Sequence, residues 1–176
     1  MTEYAIFLRG VNVGGINLTM ADLRAAVATL TVSRVTTLLA SGNVICSTDL
    51  SAAELKESVE TLLRVTFGYD AWVVIIEADR LRELVEACPF PADDPTTHTY
   101  LTLFSDPSAL ADLLEASTGL EPGLIVLGPE AAAWCAPRGG TLESPLSKLT
   151  AKPRFKSSTT TRNLRTLQKV VAAFKT

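Results

Sequence analysis

Apolar positions in the first half of the chain predict strands and helices in alternation. Runs of apolar and β-branched residues predict four strands, at residues 4–8, 35–39, 44–46 and 72–76. Apolar residues at helical spacing predict two helices, which begin after Thr19 and Ser51. Thr19 and Ser51 are each followed three positions later by an acidic residue, Asp22 and Glu54 respectively, which can serve as the capping-box partner. The resulting order is βαββαβ, the ferredoxin-like arrangement.

This topology places two loops next to each other. Right-handed crossovers make the first and third strands central neighbours in the sheet. The first strand then ends at the edge where the second strand turns into the third. We therefore expect the loop after Leu8 to lie beside the hairpin at Ser41–Asn43, a strong turn sequence.

The second half of the chain echoes the first less regularly. Apolar runs predict strands at residues 99–104, 124–127 and 131–136, and Asp106 followed by Pro107 predicts a helix start. A short helix at residues 144–150 should end before Pro153, and Thr160 or Thr161 should cap a last helix. The Pro-rich segment 89–95 predicts a boundary between subdomains of residues 1–90 and 91–176. The fold class expected is α+β.

Composition and charge narrow the possible functions. The 176 residues are 47% hydrophobic and 20% charged, which excludes a disordered chain. The net charge is −3, which argues against a nucleic-acid partner. The charge is segregated, because all 19 acidic residues lie within residues 1–143 and eight basic residues lie within 144–176.

Neither a signal peptide nor a membrane span is expected, so we predict a cytoplasmic protein without a membrane partner. The three cysteines, Cys46, Cys88 and Cys135, lack metal-ligand spacing and are expected to be reduced and mostly buried. No metal and no cofactor are predicted.

Three polar segments are candidates for a ligand site. The segment from Arg9 to Gly15 holds three glycines that let backbone amides approach a ligand, and it leads towards a helix start, which favours anions. It matches neither the dinucleotide-binding nor the P-loop motif. The second segment is the hairpin at Ser41–Asn43. The third segment, Thr160–Asn163, is predicted as the first turn of the last helix. There the positive charge of Arg162 would oppose the helix dipole unless a bound anion bridged Arg162 and the helix N-terminus. The predicted ligand-binding residues are Arg9, Asn12, Gly14, Gly15, Ser41, Gly42, Asn43, Lys148, Thr161, Arg162 and Asn163.

These segments also resemble a known family. Residues 4–15, followed by Met20-Ala21-Asp22-Leu23-Arg24, are similar to the opening of the family called domain of unknown function 1697. Ser41-Gly42-Asn43-Val44 resembles its second motif. Two further segments resemble the C-terminal signature of the family, namely Ser147-Lys148-Leu149 and Thr160-Thr161-Arg162-Asn163. The resemblance implies bacterial-type cytoplasmic proteins with two ferredoxin-like subdomains and no assigned activity.

Three functions are compatible with the sequence. The first is binding of a small ligand that bears a phosphate or carboxylate, at a rim formed by the three segments. The second is an enzyme acting on such a ligand, although no catalytic residue can be assigned: His98 lies outside the motifs, and Ser41 has no visible base. The third and least favoured is nucleic-acid binding, because the third strand lacks the aromatic residues of an RNA-binding sheet. The sequence predicts no oligomeric state.

Overall fold

A computed structural model of the chain describes residues 1–10, 17–121 and 123–174. The chain divides into two compact units. The first comprises Met1–Leu81 together with the end of the chain from Val170, and the second comprises Arg82–Lys169. The boundary between residues 90 and 91 stays a prediction.

The first unit is a four-stranded antiparallel sheet with helices. Its elements in chain order are β1 (Thr2–Arg9), α1 (Met20–Val27), β2 (Ser33–Leu38), β3 (Asn43–Thr48), α2 (Ala52–Phe67) and β4 (Trp72–Glu77), followed by α3 (Ala78–Ala87). The strand order is β2-β3-β1-β4, and every neighbouring pair is antiparallel. The prediction that the first and third strands are central neighbours is confirmed.

Local sequence signals fix the helices of this unit. At the start of α2 the capping box is complete: Ser51 Oγ accepts from the Glu54 N–H, and Glu54 Oε2 accepts from the Ser51 N–H at 2.8 Å. Gly68 ends α2 in the left-handed conformation, with φ +69°. At α1, Thr19 Oγ1 accepts from the Asp22 N–H at 3.0 Å.

The core of the first unit lies between one sheet face and the helices. Side chains alternate across a strand, so Tyr4, Ile6 and Leu8 of β1 all point to the helix side. There they join a buried cluster with Leu23 of α1 and Leu63 of α2. Ala5 and Phe7 lie on the opposite face and are also fully buried.

The second unit repeats the strand order of the first. Its elements are β5 (Thr97–Phe104), α4 (Pro107–Ala116), β6 (Ile125–Gly128), β7 (Ala131–Pro137), α5 (Pro145–Thr150), α6 (Pro153–Lys156) and β8 (Thr159–Asn163), followed by α7 (Leu164–Ala173). The antiparallel order is β6-β7-β5-β8. The protein is therefore an α+β protein with two ferredoxin-like units, as predicted.

One sequence prediction in the second unit is confirmed and another is wrong. The short helix forms as α5, with Ser144 as its N-cap, and it ends at Thr150, before Pro153, which begins α6. The Thr160–Asn163 segment is not the start of a helix, because it belongs to β8 and pairs with β5. The last helix begins at Leu164, and Asn163 Oδ1 accepts from the Arg165 N–H at 2.9 Å.

Two further expectations concern thiols and membranes. Cys46 is buried as predicted, whereas Cys88 and Cys135 are only half-buried. Within residues 1–10, 17–121 and 123–174, no helix has the length and apolar character needed to cross a membrane.

Candidate functional site

The end of β1 and the β2–β3 hairpin lie side by side in the first unit. The Leu8 N–H donates to the Gly42 carbonyl oxygen at 2.9 Å, which continues the β1–β3 ladder beyond the Phe7–Asn43 pair. This confirms the predicted adjacency of the two segments. We call Arg9, Gly10, Ser41, Gly42 and Asn43 together the Arg9 edge.

Arg9 is the positively charged group of this edge. It is the last residue of β1 and pairs with Trp72 of β4. Its side chain is half-buried, and burial lowers the pKa of the guanidinium below its ordinary value. Strand alternation places it on the same sheet face as Phe7, which is opposite to the helix side.

Two glycines let the backbone turn sharply on both sides of the edge. Gly10 has φ +78° and Gly42 has φ +81°, conformations that side chains with a Cβ rarely adopt. Leu39, at the start of the hairpin turn, also has a positive φ of +59°, and its side chain is 43% exposed. A non-glycine residue in this region is strained, by about 1–2 kcal/mol. Backbone strain of this kind is concentrated at functional sites.

Asn43 holds the hairpin turn together from inside. Its side chain is completely buried, and Nδ2 donates to the Leu38 carbonyl at 2.8 Å and to Ser41 Oγ at 2.9 Å. A carboxamide nitrogen carries two hydrogens, so these two bonds use both. Asn43 is therefore a positioning residue of the edge through this nitrogen. The other predicted residues of this loop, Asn12, Gly14 and Gly15, lie outside the described residues.

In the second unit, the predicted residues of β8 are divided between the two sheet faces. Strand alternation puts Thr160 and Arg162 on one face and Thr161 and Asn163 on the other. Arg162 is only 6% exposed, and its Nη1 donates to Thr160 Oγ1 at 2.7 Å and to the Thr161 carbonyl at 3.0 Å. The side chains of Thr161 and Arg162 are thus not brought together.

Thr161 instead joins a chain of polar groups on the helix side of the sheet. Its Oγ1 lies 2.9 Å from Thr102 Oγ1, which also accepts a 2.9 Å hydrogen bond from Trp134 Nε1. Lys148, in the last turn of α5, is exposed. Sequence reasoning placed Thr161, Arg162 and Asn163 on a helix turn and so missed the division between faces.

His98 contacts an aromatic neighbour in the second unit. It lies on β5, and its ring meets the ring of Tyr100 edge-on at 6.2 Å between centroids. Among the described residues, no three His, Cys, Asp or Glu side chains are grouped so that they could hold a metal ion.

Comparison with known proteins identifies the family. The family model described as "Protein of unknown function (DUF1697)" matches residues 1–124, more than two thirds of the chain. The chain belongs to this family. The matched part of this DUF1697 protein includes Arg9 and the Ser41–Asn43 hairpin, whereas Lys148 and Thr161–Asn163 lie beyond it.

Among solved structures, the DUF1697 protein resembles the conserved bacterial protein SP0830 from Streptococcus pneumoniae. The two are 22% identical, the alignment covers 97% of each chain, and the TM-score is 0.79. At this identity the likeness concerns the fold alone, and it agrees with the two ferredoxin-like units. A search of curated proteins returned no match.

Proposed function

We propose that this DUF1697 protein binds a small ligand bearing a phosphate or carboxylate at the Arg9 edge. The observation that carries the proposal is the half-buried guanidinium of Arg9 at the end of β1. Burial has removed part of the water that would otherwise solvate this cation, as its lowered pKa reflects. A guanidinium in such a partly desolvated position binds an anion more strongly than one in bulk water does.

The chemistry of the edge favours an oxyanion. A guanidinium presents five N–H donors in a planar fork that matches the oxygens of carboxylate and phosphate. Gly10, the residue after Arg9, has no Cβ and is only half-buried, so a ligand can approach the backbone next to Arg9 closely. Successive backbone N–H groups in such turns form concave sites for anions.

The residues of the edge have different roles in this proposal. Arg9 binds the anion directly, and the exposed Ser41 hydroxyl lies at the rim. Asn43 acts through the turn, because its Nδ2 is bonded to Leu38 and Ser41. The contributions predicted for Asn12, Gly14 and Gly15 stay predictions, and so do those of Lys148, Thr161, Arg162 and Asn163.

Thermal unfolding in the presence of anions tests the proposal. Inorganic phosphate, phosphorylated metabolites and carboxylates are screened against the wild type, Arg9→Ala and Arg154→Ala. Arg154 is an exposed arginine of α6, so the control removes the same charge elsewhere. A ligand at about 100 times its Kd should raise the Tm of the wild type and of Arg154→Ala by about 5–10 °C. The shift should be lost in Arg9→Ala.

An equal shift in all three proteins, or no shift with any anion, would contradict the proposal. Lys148→Ala and Arg162→Lys, measured in the same way, show separately whether the predicted residues of the second unit affect the affinity. Arg162→Lys retains the buried charge, so it is less disruptive than truncation.

A further inference from the structure

A polar cavity lies at the opposite end of the first sheet from the Arg9 edge. It has a volume of about 330 Å³ and lies where β1 and β2 begin and β3 ends. Its polar and aromatic lining consists of Glu3, Arg24, Arg34, Thr36, Ser47 and Phe174. All of these belong to the first unit. The volume is near the lower end of the range for small-molecule sites.

The backbone of Arg34 has a conformation that residues with a Cβ rarely adopt. Its φ is +54°, in the left-handed region where glycine is preferred. The pairing of β2 with β3 shifts register between Ser33 and Thr36, so Arg34 lies at an irregularity of an edge strand. Bulges of this kind redirect a side chain, and they are frequent next to binding sites. Here the redirected side chain lines the cavity.

The positive charges of the two arginines in the cavity are only weakly paired with acidic groups of the described residues. Arg34 Nη1 lies 3.8 Å from Glu3 Oε1, which is longer than a charge-assisted hydrogen bond. Arg34 is 75% exposed in this pair, so the pair contributes little stability. Arg24 lies in the last turn of α1, and its guanidinium has no ion-pair partner among the described residues.

An aromatic ring completes the lining. Phe174 follows α7 and is half-buried at the cavity. A flat hydrocarbon surface beside two guanidinium groups is suited to a ligand with a ring at one end and a negative group at the other. The hydroxyl-bearing Thr36 and Ser47 add hydrogen-bonding groups on the strands.

We propose that this cavity is a second ligand site, which binds a small aromatic or heteroaromatic anion. The guanidinium groups of Arg24 and Arg34 hold its phosphate, sulfonate or carboxylate group, and Phe174 contacts its ring. This site is separate from the Arg9 edge, and it does not depend on the function proposed there.

Isothermal titration with phenyl phosphate tests the site. Arg34→Gly removes the guanidinium and places the residue type that the φ of +54° prefers, so its Tm should not fall. Its Kd for phenyl phosphate should nevertheless rise by about tenfold or more, as should that of Arg24→Ala. Phe174→Ala should weaken phenyl phosphate binding and leave inorganic phosphate binding unchanged.

Two control variants show whether the affinity for phenyl phosphate arises in this cavity. Arg154→Ala should bind phenyl phosphate like the wild type, because it removes one exposed positive charge outside the cavity. Arg9→Ala removes the guanidinium of the Arg9 edge, so phenyl phosphate binding that remains in this variant and is lost when Arg34→Gly is added arises in the cavity. Absence of phenyl phosphate binding to the wild type at millimolar concentration would overturn the inference. So would an unchanged Kd in Arg24→Ala and Arg34→Gly.

Discussion

The N–H of Leu8 donates a 2.9 Å hydrogen bond to the carbonyl oxygen of Gly42. This bond joins the end of the ladder between β1 and β3 to the hairpin that precedes β3. As a result Arg9, the next residue, is held beside the hairpin by backbone geometry. The proposed anion site therefore depends on the integrity of this turn.

Asn43→Ala should destabilise the hairpin. The substitution removes the Nδ2 hydrogen bonds to Leu38 and Ser41, and it leaves the Leu38 carbonyl without this donor. The free energy of unfolding should fall by about 2–3 kcal/mol, as measured by urea denaturation. Asn43→Asp should cost more, because it places a carboxylate oxygen against the Leu38 carbonyl oxygen in a fully buried position. An effect below 0.5 kcal/mol (about the noise of surface substitutions) would contradict this role.

Glu60 on α2 is expected to secure the edge strand β4. Its Oε2 accepts from Lys56 Nζ at 2.6 Å and from the Val73 N–H at 3.0 Å, and Lys56 Nζ also donates to the Val73 carbonyl at 2.9 Å. Glu60→Ala should lower the free energy of unfolding by about 2–3 kcal/mol. The matched control is Glu57→Ala, because Glu57 is an exposed residue of the same helix. This substitution should change the free energy of unfolding by less than about 0.5 kcal/mol. Equal effects of the two variants in chemical denaturation would refute the prediction.

The stability of the protein should decrease at alkaline pH partly because of Cys46. Burial raises the pKa of this thiol from 9.0 to about 11. Between these values the unfolded state has lost the proton and the folded state retains it, so the free energy of unfolding falls as pH rises. The loss from this group should approach about 3 kcal/mol above pH 11 and vanish below pH 9. Denaturation from pH 8 to 11 should show a shallower decline in Cys46→Ala, and parallel curves for both proteins would count against the assignment.

Tyr69→Phe should increase stability. The Tyr69 hydroxyl is buried and has no hydrogen-bond partner within residues 1–10, 17–121 and 123–174, and burial raises its pKa. Removing an unpaired buried hydroxyl should raise the free energy of unfolding by about 1 kcal/mol. Tyr100→Phe is the matched control, because the Tyr100 hydroxyl lies 2.9 Å from Thr141 Oγ1. That variant should be destabilised by about 1 kcal/mol, and the same sign of change in both would disprove the interpretation.

The sequence predicted those elements whose signals are local. Ser51 and Glu54 lie three residues apart, and their capping box forms as expected. The strand order of the first unit followed from the βαββαβ pattern and crossover handedness, and with it the closeness of Leu8 and Gly42. These inferences needed no knowledge of distant contacts.

The errors arose where a distant strand decides the structure. Thr160 and Thr161 are good helix caps in isolation, but pairing of Arg162 with Leu101 makes the segment a strand. The cap of α7 is Asn163 instead, so both the residue and the position of the predicted threonine cap were wrong. The cavity beside Arg34 was also missed, because a positive φ at an arginine gives no signal in the sequence.

The central claim is that an anion binds at the Arg9 edge, and a residue-resolved titration tests it most directly. Inorganic phosphate is added to ¹⁵N-labelled wild type and Arg9→Ala while backbone amide signals are followed by NMR. Anion binding at the Arg9 edge should produce saturable shifts at Gly10, Gly42 and Asn43 in the wild type that are lost in Arg9→Ala. If these amides do not shift, or shift equally in the variant, the anion does not bind at this edge.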